Sequence, residues 1–295
     1  MTAAPDHADL GLTVPPFACD CHMHVFGAPG DYPIPALRSY TPQAAPLASW
    51  RTVAATLGLM RVVVVQPSVY GLDNRCTLDA LRSIGAQGRG IVQIDPATLD
   101  PDLQDLHAAG VRGVRLNPKS VGLRDLDGLR ELIGRTARRI APFGWHLQIY
   151  TALPMLAELA EAIRDAPVPV VLDHMGGARA GDDAAALRPL LDLLGSGRCW
   201  VKLSGAYRVS RLESGFEDAT AIARLLVQTN AEQLVWGTDW PHTAHHAGKP
   251  RLDAPLLAFR ALDAIHLMRC LADAARDQST FTRILETNAA RLYGF

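Results

Sequence analysis

Two histidines separated by one residue, His22 and His24, end an apolar, β-rich run over Ala18–Val25. Strand side chains alternate between faces, so both imidazoles are expected on one face with Asp20. Cys19, Cys21 and Met23 are then expected on the other. Two imidazoles at that spacing converge on one metal ion or one substrate oxygen. A lone histidine is more often satisfied by backbone, but a pair on one face of a strand end points to chemistry. Leu172-Asp173-His174-Met175-Gly176-Gly177 and Trp236-Gly237-Thr238-Asp239-Trp240-Pro241-His242 close two further apolar runs, bringing His174 and Asp239 to the same kind of position. A carboxylate there is costly unless it is paired, working, or capping the next helix. His242, His245 and His246 lie in a Pro- and Gly-flanked loop and are read as solvated.

Other strand ends carry Gln66-Pro67-Ser68-Val69-Tyr70, Asp95, Arg115-Leu116-Asn117, Gln148-Ile149-Tyr150 and Lys202-Leu203-Ser204-Gly205. A guanidinium inside a strand, as at Arg115, needs an anionic partner, and a bidentate carboxylate fits it best. That carboxylate belongs either to a substrate or to a neighbouring strand. Arg124 follows the same strand, and Arg208 and Arg211 follow the Lys202 strand. Several arginines on one rim suit a substrate with more than one carboxylate, or another strong anion.

Something must hold these residues at one end of the fold. Eight short β-rich runs are present: Ala18–Val25, Arg61–Gln66, Gly90–Ile94, Gly113–Asn117, His146–Tyr150, Val168–His174, Trp200–Ser204 and Leu234–Asp239. Most are continuously apolar, as parallel strands buried on both faces must be. Helical patterns fill the gaps at Leu47–Leu57, Thr77–Ile84, Pro101–Ala109, Leu126–Ala141, Pro154–Arg164, Asp183–Leu194 and Phe216–Gln228. Asp100 reads as an N-cap, and Asp253–Phe295 reads as helical with Asp253 as its N-cap. The alternation predicts an α/β fold, a single (β/α)8 TIM barrel over 18–295 with C-terminal helices and a short N-terminal arm, 1–17. An open doubly wound sheet would show a Gly-rich turn after an early strand, and none is present. Gly27–Pro46 is a long Pro- and Gly-rich loop beside the predicted site.

The chain has 295 residues, 29 Lys plus Arg, 30 Asp plus Glu, and a net charge of -1. That balance lacks the basic footprint of a nucleic-acid binder. No run approaches the roughly 18 apolar residues of a membrane span. The N-terminal segment has no basic flank before an apolar block, so it is read as no signal peptide, and the protein as cytoplasmic. Five cysteines, Cys19, Cys21, Cys76, Cys199 and Cys270, suggest neither a disulfide framework nor a cysteine zinc site. The sequence carries no signal for the oligomeric state.

Together the motifs around His22, His174 and Asp239, with Val65–Gly71 and Lys202-Leu203-Ser204-Gly205, resemble the amidohydrolase superfamily. More narrowly, they resemble its branch of pyrone-dicarboxylate lactonases, from about Phe17 to the C-terminus. The resemblance implies hydrolysis of a small anionic lactone. Asp239 would activate water, and His22, His24 and His174 would polarise the carbonyl. Tyr40, Ser68, Arg115, Arg124, Tyr150 and Arg211 would contact substrate, with Arg208 competing for the place of Arg211. An arginine that the branch carries after its His-Met-Gly is here Gly177, with Arg179 two residues later. No metal is expected: the fourth strand offers no bridging Lys or Glu, and His146 starts the fifth strand rather than ending it. Two other readings stay open. One is a mononuclear zinc lactonase or decarboxylase with the ion at His22, His24 and Asp239, joined or not by His174. The other is a non-catalytic barrel that binds an aromatic acid.

Overall fold

A computed structural model describes residues 10–121, 125–213, 215–245 and 249–295. Eight parallel strands follow one another around a barrel in chain order. They are β1 Cys19–Met23, β2 Arg61–Val65, β3 Gly88–Val92, β4 Val111–Leu116, β5 His146–Ile149, β6 Val170–Leu172, β7 Cys199–Ser204 and β8 Leu234–Gly237. All eight expected strands are present, with ends moved by a few residues. The barrel closes where β8 runs out beside β1. There Asp239 donates its N–H to His22 O at 2.8 Å, and His24 donates to Trp240 O at 2.9 Å. Gly237 makes this seam possible, since a Cβ there would stand 2.5 Å from His22 N.

Helices cover the outside, and the pattern located them well. Leu47–Leu57 is as expected, while Leu126–Ile140 and Ala184–Gly195 are capped by Asp125 and Asp183. Two cap assignments are corrected. Asp100 is the first helical residue, after Leu99 at the cap. Asp253 caps nothing: residues 253–263 are not helical, Leu256–Leu257 pairs with Thr41–Pro42, and Asp263 caps the helix Ala264–Ala275 through Ile265 N. Leu256 and Leu257 instead tie this segment to the 27–46 loop. The arm packs on the C-terminal helices: Thr13 N–H donates to Gln278 Oε1 and Phe17 N–H to Glu286 Oε2.

Side chains alternate between the outer core and the barrel interior. Val62 and Val64 pack outward under the helices. Val63, Val65, Ile91, Val171 and Val235 pack inward with Cys19, Cys21 and the plugging Tyr293. The alternation breaks once in β1. Asp20 pairs with Val62 and Met23 with Val64, so β1 holds one more residue than β2 over that interval. This is a β-bulge. Asp20 lies outside the barrel wall, where its carboxylate accepts from Trp50 Nε1 at 2.9 Å and Thr238 Oγ1 at 2.6 Å. Beyond the bulge the phase is reversed, and His22 and His24 point inward. The expected sharing of one face by Asp20 and the two histidines is therefore corrected.

Candidate active site

The strand ends of the barrel border a narrow cavity. It is lined by His24, Tyr40, Pro67, Ser68, Arg115, Asn117, Tyr150, His174, Arg208, Asp239 and Thr243. Most of the site residues expected from sequence meet here. His22 lies just below the cavity, with its Nε2 3.3 Å from His24 Nε2. Asp239 Oδ1 is 3.7 Å from each of those two nitrogens, and Asp239 Oδ2 is 3.8 Å from His174 Nδ1. His174 Nδ1 also meets Ser204 Oγ at 3.0 Å. Both His174 and Asp239 hold left-handed backbone, φ 49° and 57°. For residues with a Cβ that conformation costs about 1–2 kcal/mol, a cost that recurs where side chains must be aimed at a site.

The two oxygens of Asp239 have different surroundings. Oδ2 accepts from Tyr207 Oη at 2.7 Å and from Arg208 Nε at 2.6 Å. Oδ1 is buried, has no hydrogen-bond donor, and faces the two imidazoles. Burial alone would raise the Asp239 carboxyl. The Arg208 guanidinium, together with the His174, His22 and His24 rings, outweighs it and holds the group well below the usual carboxylate range. Burial lowers all three histidines, His24 to about 3.

A second carboxylate lies beneath. Asp173 Oδ2 accepts from Arg115 Nε at 3.0 Å and Gln148 Nε2 at 3.1 Å, while Oδ1 lies 3.3 Å from His22 Nδ1. Lys202, buried and pulled down to about 8 by burial, donates to Gln148 Oε1 and to Cys21 O, each at 2.7 Å. Arg115 thus borders the cavity while holding the carboxylate at the end of β6, two strands away across β5. Ser68 Oγ accepts from Asn117 Nδ2 at 2.5 Å, and the Tyr150 ring stands edge-on to His174.

Not every expected residue arrives. Arg211 is exposed, outside the cavity, with its backbone N–H on Asp218; Arg208 occupies the wall instead. Arg124 and His246 lie outside the described residues. His245 is exposed as expected, but His242 is corrected: it is buried, set edge-on to Tyr207, and lowered to about 4 by burial. Gly177 has φ 79°, and a Cβ there would meet Thr151 O at 2.4 Å, so this backbone has no room for the arginine of the resembling branch. Sequence reasoning left Asp173, Gln148, Lys202, Asn117, Thr243 and Tyr207 out of the site. The first four did stand out as polar residues at strand ends, whereas Thr243 sits in a loop and Tyr207 in the four-residue helix Ala206–Val209, with no pattern to mark them.

The donor set also suits an ion. Nitrogen and oxygen ligands around a tetrahedral Zn²⁺ stand about 3.4 Å apart. His22 Nε2, His24 Nε2 and Asp239 Oδ1 have separations of 3.3, 3.7 and 3.7 Å, and His174 adjoins them. Among the described residues, the end of β5 offers Gln148 and Tyr150 rather than a further histidine.

The amidohydrolase family model matches residues 19–295. The 4-sulfomuconolactone hydrolase of Hydrogenophaga intermedia is 32% identical over 289 residues, 97% of this chain and 91% of that protein. The 2-pyrone-4,6-dicarboxylate hydrolase of Comamonas testosteroni is 36% identical over 242 residues, 78% of each chain. A putative 2-pyrone-4,6-dicarboxylic acid hydrolase of Pseudomonas putida superposes with a TM-score of 0.77 at 28% identity, over 95% of this chain and 98% of that one. With the whole barrel inside the match, and strand-end histidines and aspartate gathered at one cavity, this chain belongs to the amidohydrolase family.

Proposed function

We propose that this protein is a hydrolase that opens a small anionic lactone. The observation that carries the reading is the orphaned Asp239 Oδ1, facing two imidazoles at the floor of a cavity that also holds arginine. The similarity to lactone hydrolases supports the bond type. Carboxylate or sulfonate groups dock on Arg208 and the free edge of Arg115, with Tyr40, Ser68, Asn117 and Tyr150 orienting the ring. Arg124 is an expected contact by resemblance. A water at the floor attacks the ester carbonyl as Asp239 Oδ1 takes its proton. The adjoining imidazoles fix water and carbonyl against each other. The tetrahedral adduct then breaks its ring C–O bond, and the proton passes from Asp239 to the leaving oxygen.

This reading needs no metal. The separations among His22, His24 and Asp239 favour a second version, in which the same three residues hold one divalent ion. Such an ion would supply Lewis-acid polarisation and a more acidic water. The test is turnover of 2-pyrone-4,6-dicarboxylate and of a sulfonated muconolactone by chelator-treated enzyme. Turnover of either supports the metal-free version. Turnover only after divalent metal is restored supports the second. No turnover under either condition sinks lactone hydrolysis.

A further inference from the structure

The ring protons of His22 and His24 can be placed from their partners. His24 Nδ1 is 2.7 Å from Val65 O, a carbonyl that only accepts, so the ring proton sits on Nδ1 and Nε2 is bare. His22 has two candidates. Its Nε2 faces the bare Nε2 of His24, and its Nδ1 faces Asp173 Oδ1. Asp173 Oδ2 is already filled by Arg115 and Gln148, while Asp173 Oδ1 and His22 Nδ1, both buried and 3.3 Å apart, have no hydrogen bond to any other group. A hydrogen bond to an ionised oxygen is about twice as strong as one between neutral groups. A bare nitrogen against that carboxylate would be repulsive, and a buried carboxylate oxygen left without a donor costs about 1–3 kcal/mol or more.

We infer that Asp173 is a positioning residue: it fixes the His22 proton on Nδ1, so that three bare acceptors, His22 Nε2, His24 Nε2 and Asp239 Oδ1, converge at the cavity floor. Arg115, Gln148 and Lys202 hold Asp173 in place from β4, β5 and β7. Three acceptors with no donor among them grip a water by its two hydrogens and leave its lone pair for the carbonyl. His22 and His24 are then water-holding groups rather than donors to the carbonyl. The consequence for turnover rests on the proposed ester opening; the proton assignment does not.

The test is two-bond ¹H–¹⁵N correlation of the chelator-treated, substrate-free protein labelled at histidine nitrogen. His22 and His24 signals are assigned by their loss in His22→Gln and His24→Gln. Bare Nε2 and protonated Nδ1 on both rings is the expected result. A protonated Nε2 on His22, or an imidazolium, overturns the inference. In Asp173→Asn the His22 signals shift toward the other tautomer, and kcat falls about 10–100-fold, the usual scale for losing a group that orients a functional histidine, with KM held within about twofold. Unchanged His22 signals in a folded Asp173→Asn protein also overturn it. The wild-type spectrum stands even if that variant does not fold. Bare nitrogens in a protein that opens no lactone would sink the proposed function and leave this inference intact.

Discussion

Asp173 and Asp239 end strands two apart in the barrel, and each is buried against an arginine and a histidine. Their difference lies in what remains open. Arg115 is shut in, with 4% of its side chain exposed, and Asp173 Oδ1 meets only His22 Nδ1. Arg208 keeps 19% exposure on the cavity wall, and the nearest imidazole nitrogens to Asp239 Oδ1 stand off at 3.7 Å, against 3.3 Å at Asp173 Oδ1. The same pair of residue types therefore serves as a support in one place and, in the proposed mechanism, as the proton acceptor in the other. Access of the arginine and the distance to the nearest imidazole make the distinction.

That contrast can be broken by substitution. Asp239→Asn removes the proton acceptor and is expected to cut kcat by about 10³–10⁴-fold, with substrate still bound in equilibrium dialysis. A variant with near-native turnover would move the reactive role elsewhere. Arg115→Met strands a buried carboxylate and is expected to lower stability by about 3–5 kcal/mol, read as a fall in Tm. An unchanged Tm with a raised KM would leave Arg115 as a substrate contact with no supporting role. Arg208→Gln is expected to keep the fold and lower kcat/KM about 10²-fold, in line with roughly 2–5 kcal/mol for truncating a buried charged contact. The loss should be larger for dianionic than for monoanionic lactones.

The smallest expected effect is that of pH. Asp239 is held below its ordinary range, so it stays ionised until strongly acid conditions. The histidines are lowered by burial, so they stay neutral well below their ordinary pKa. The free-enzyme profile of kcat/KM is therefore flat between about pH 5 and 8. An acid limb near about 6.5 would show that a histidine must change its charge during the reaction.

Much of this was legible beforehand. Eight apolar runs gave the barrel because parallel strands leave a pattern of residue type. His22, His24, His174 and Asp239 stood out because polar groups at the ends of such runs are rare. What the pattern hid was local geometry. The bulge in β1 breaks the two-residue period, so Asp20 was placed on the wrong face. The partner of Arg115 sits at the end of a strand two away across the barrel wall, and spacing cannot show that. The choice between Arg208 and Arg211 turns on the short helix Ala206–Val209, which holds Arg208 at the cavity and ends before Arg211. His242 looked solvated because its neighbours are loop-like, yet it packs under Tyr207.

The seam at Gly237 bears on how the protein comes into being. Its hydrogen bonds join residue 22 to residue 239, nearly the first and the last parts of the barrel to leave the ribosome. A nascent chain that ends before β8 already carries all three imidazoles but no Asp239, and its first strand has an open edge. The wall closes and Asp239 arrives in one event. Shortened products of this gene would therefore be inert, and their open strand edges would invite capture by chaperones or by each other.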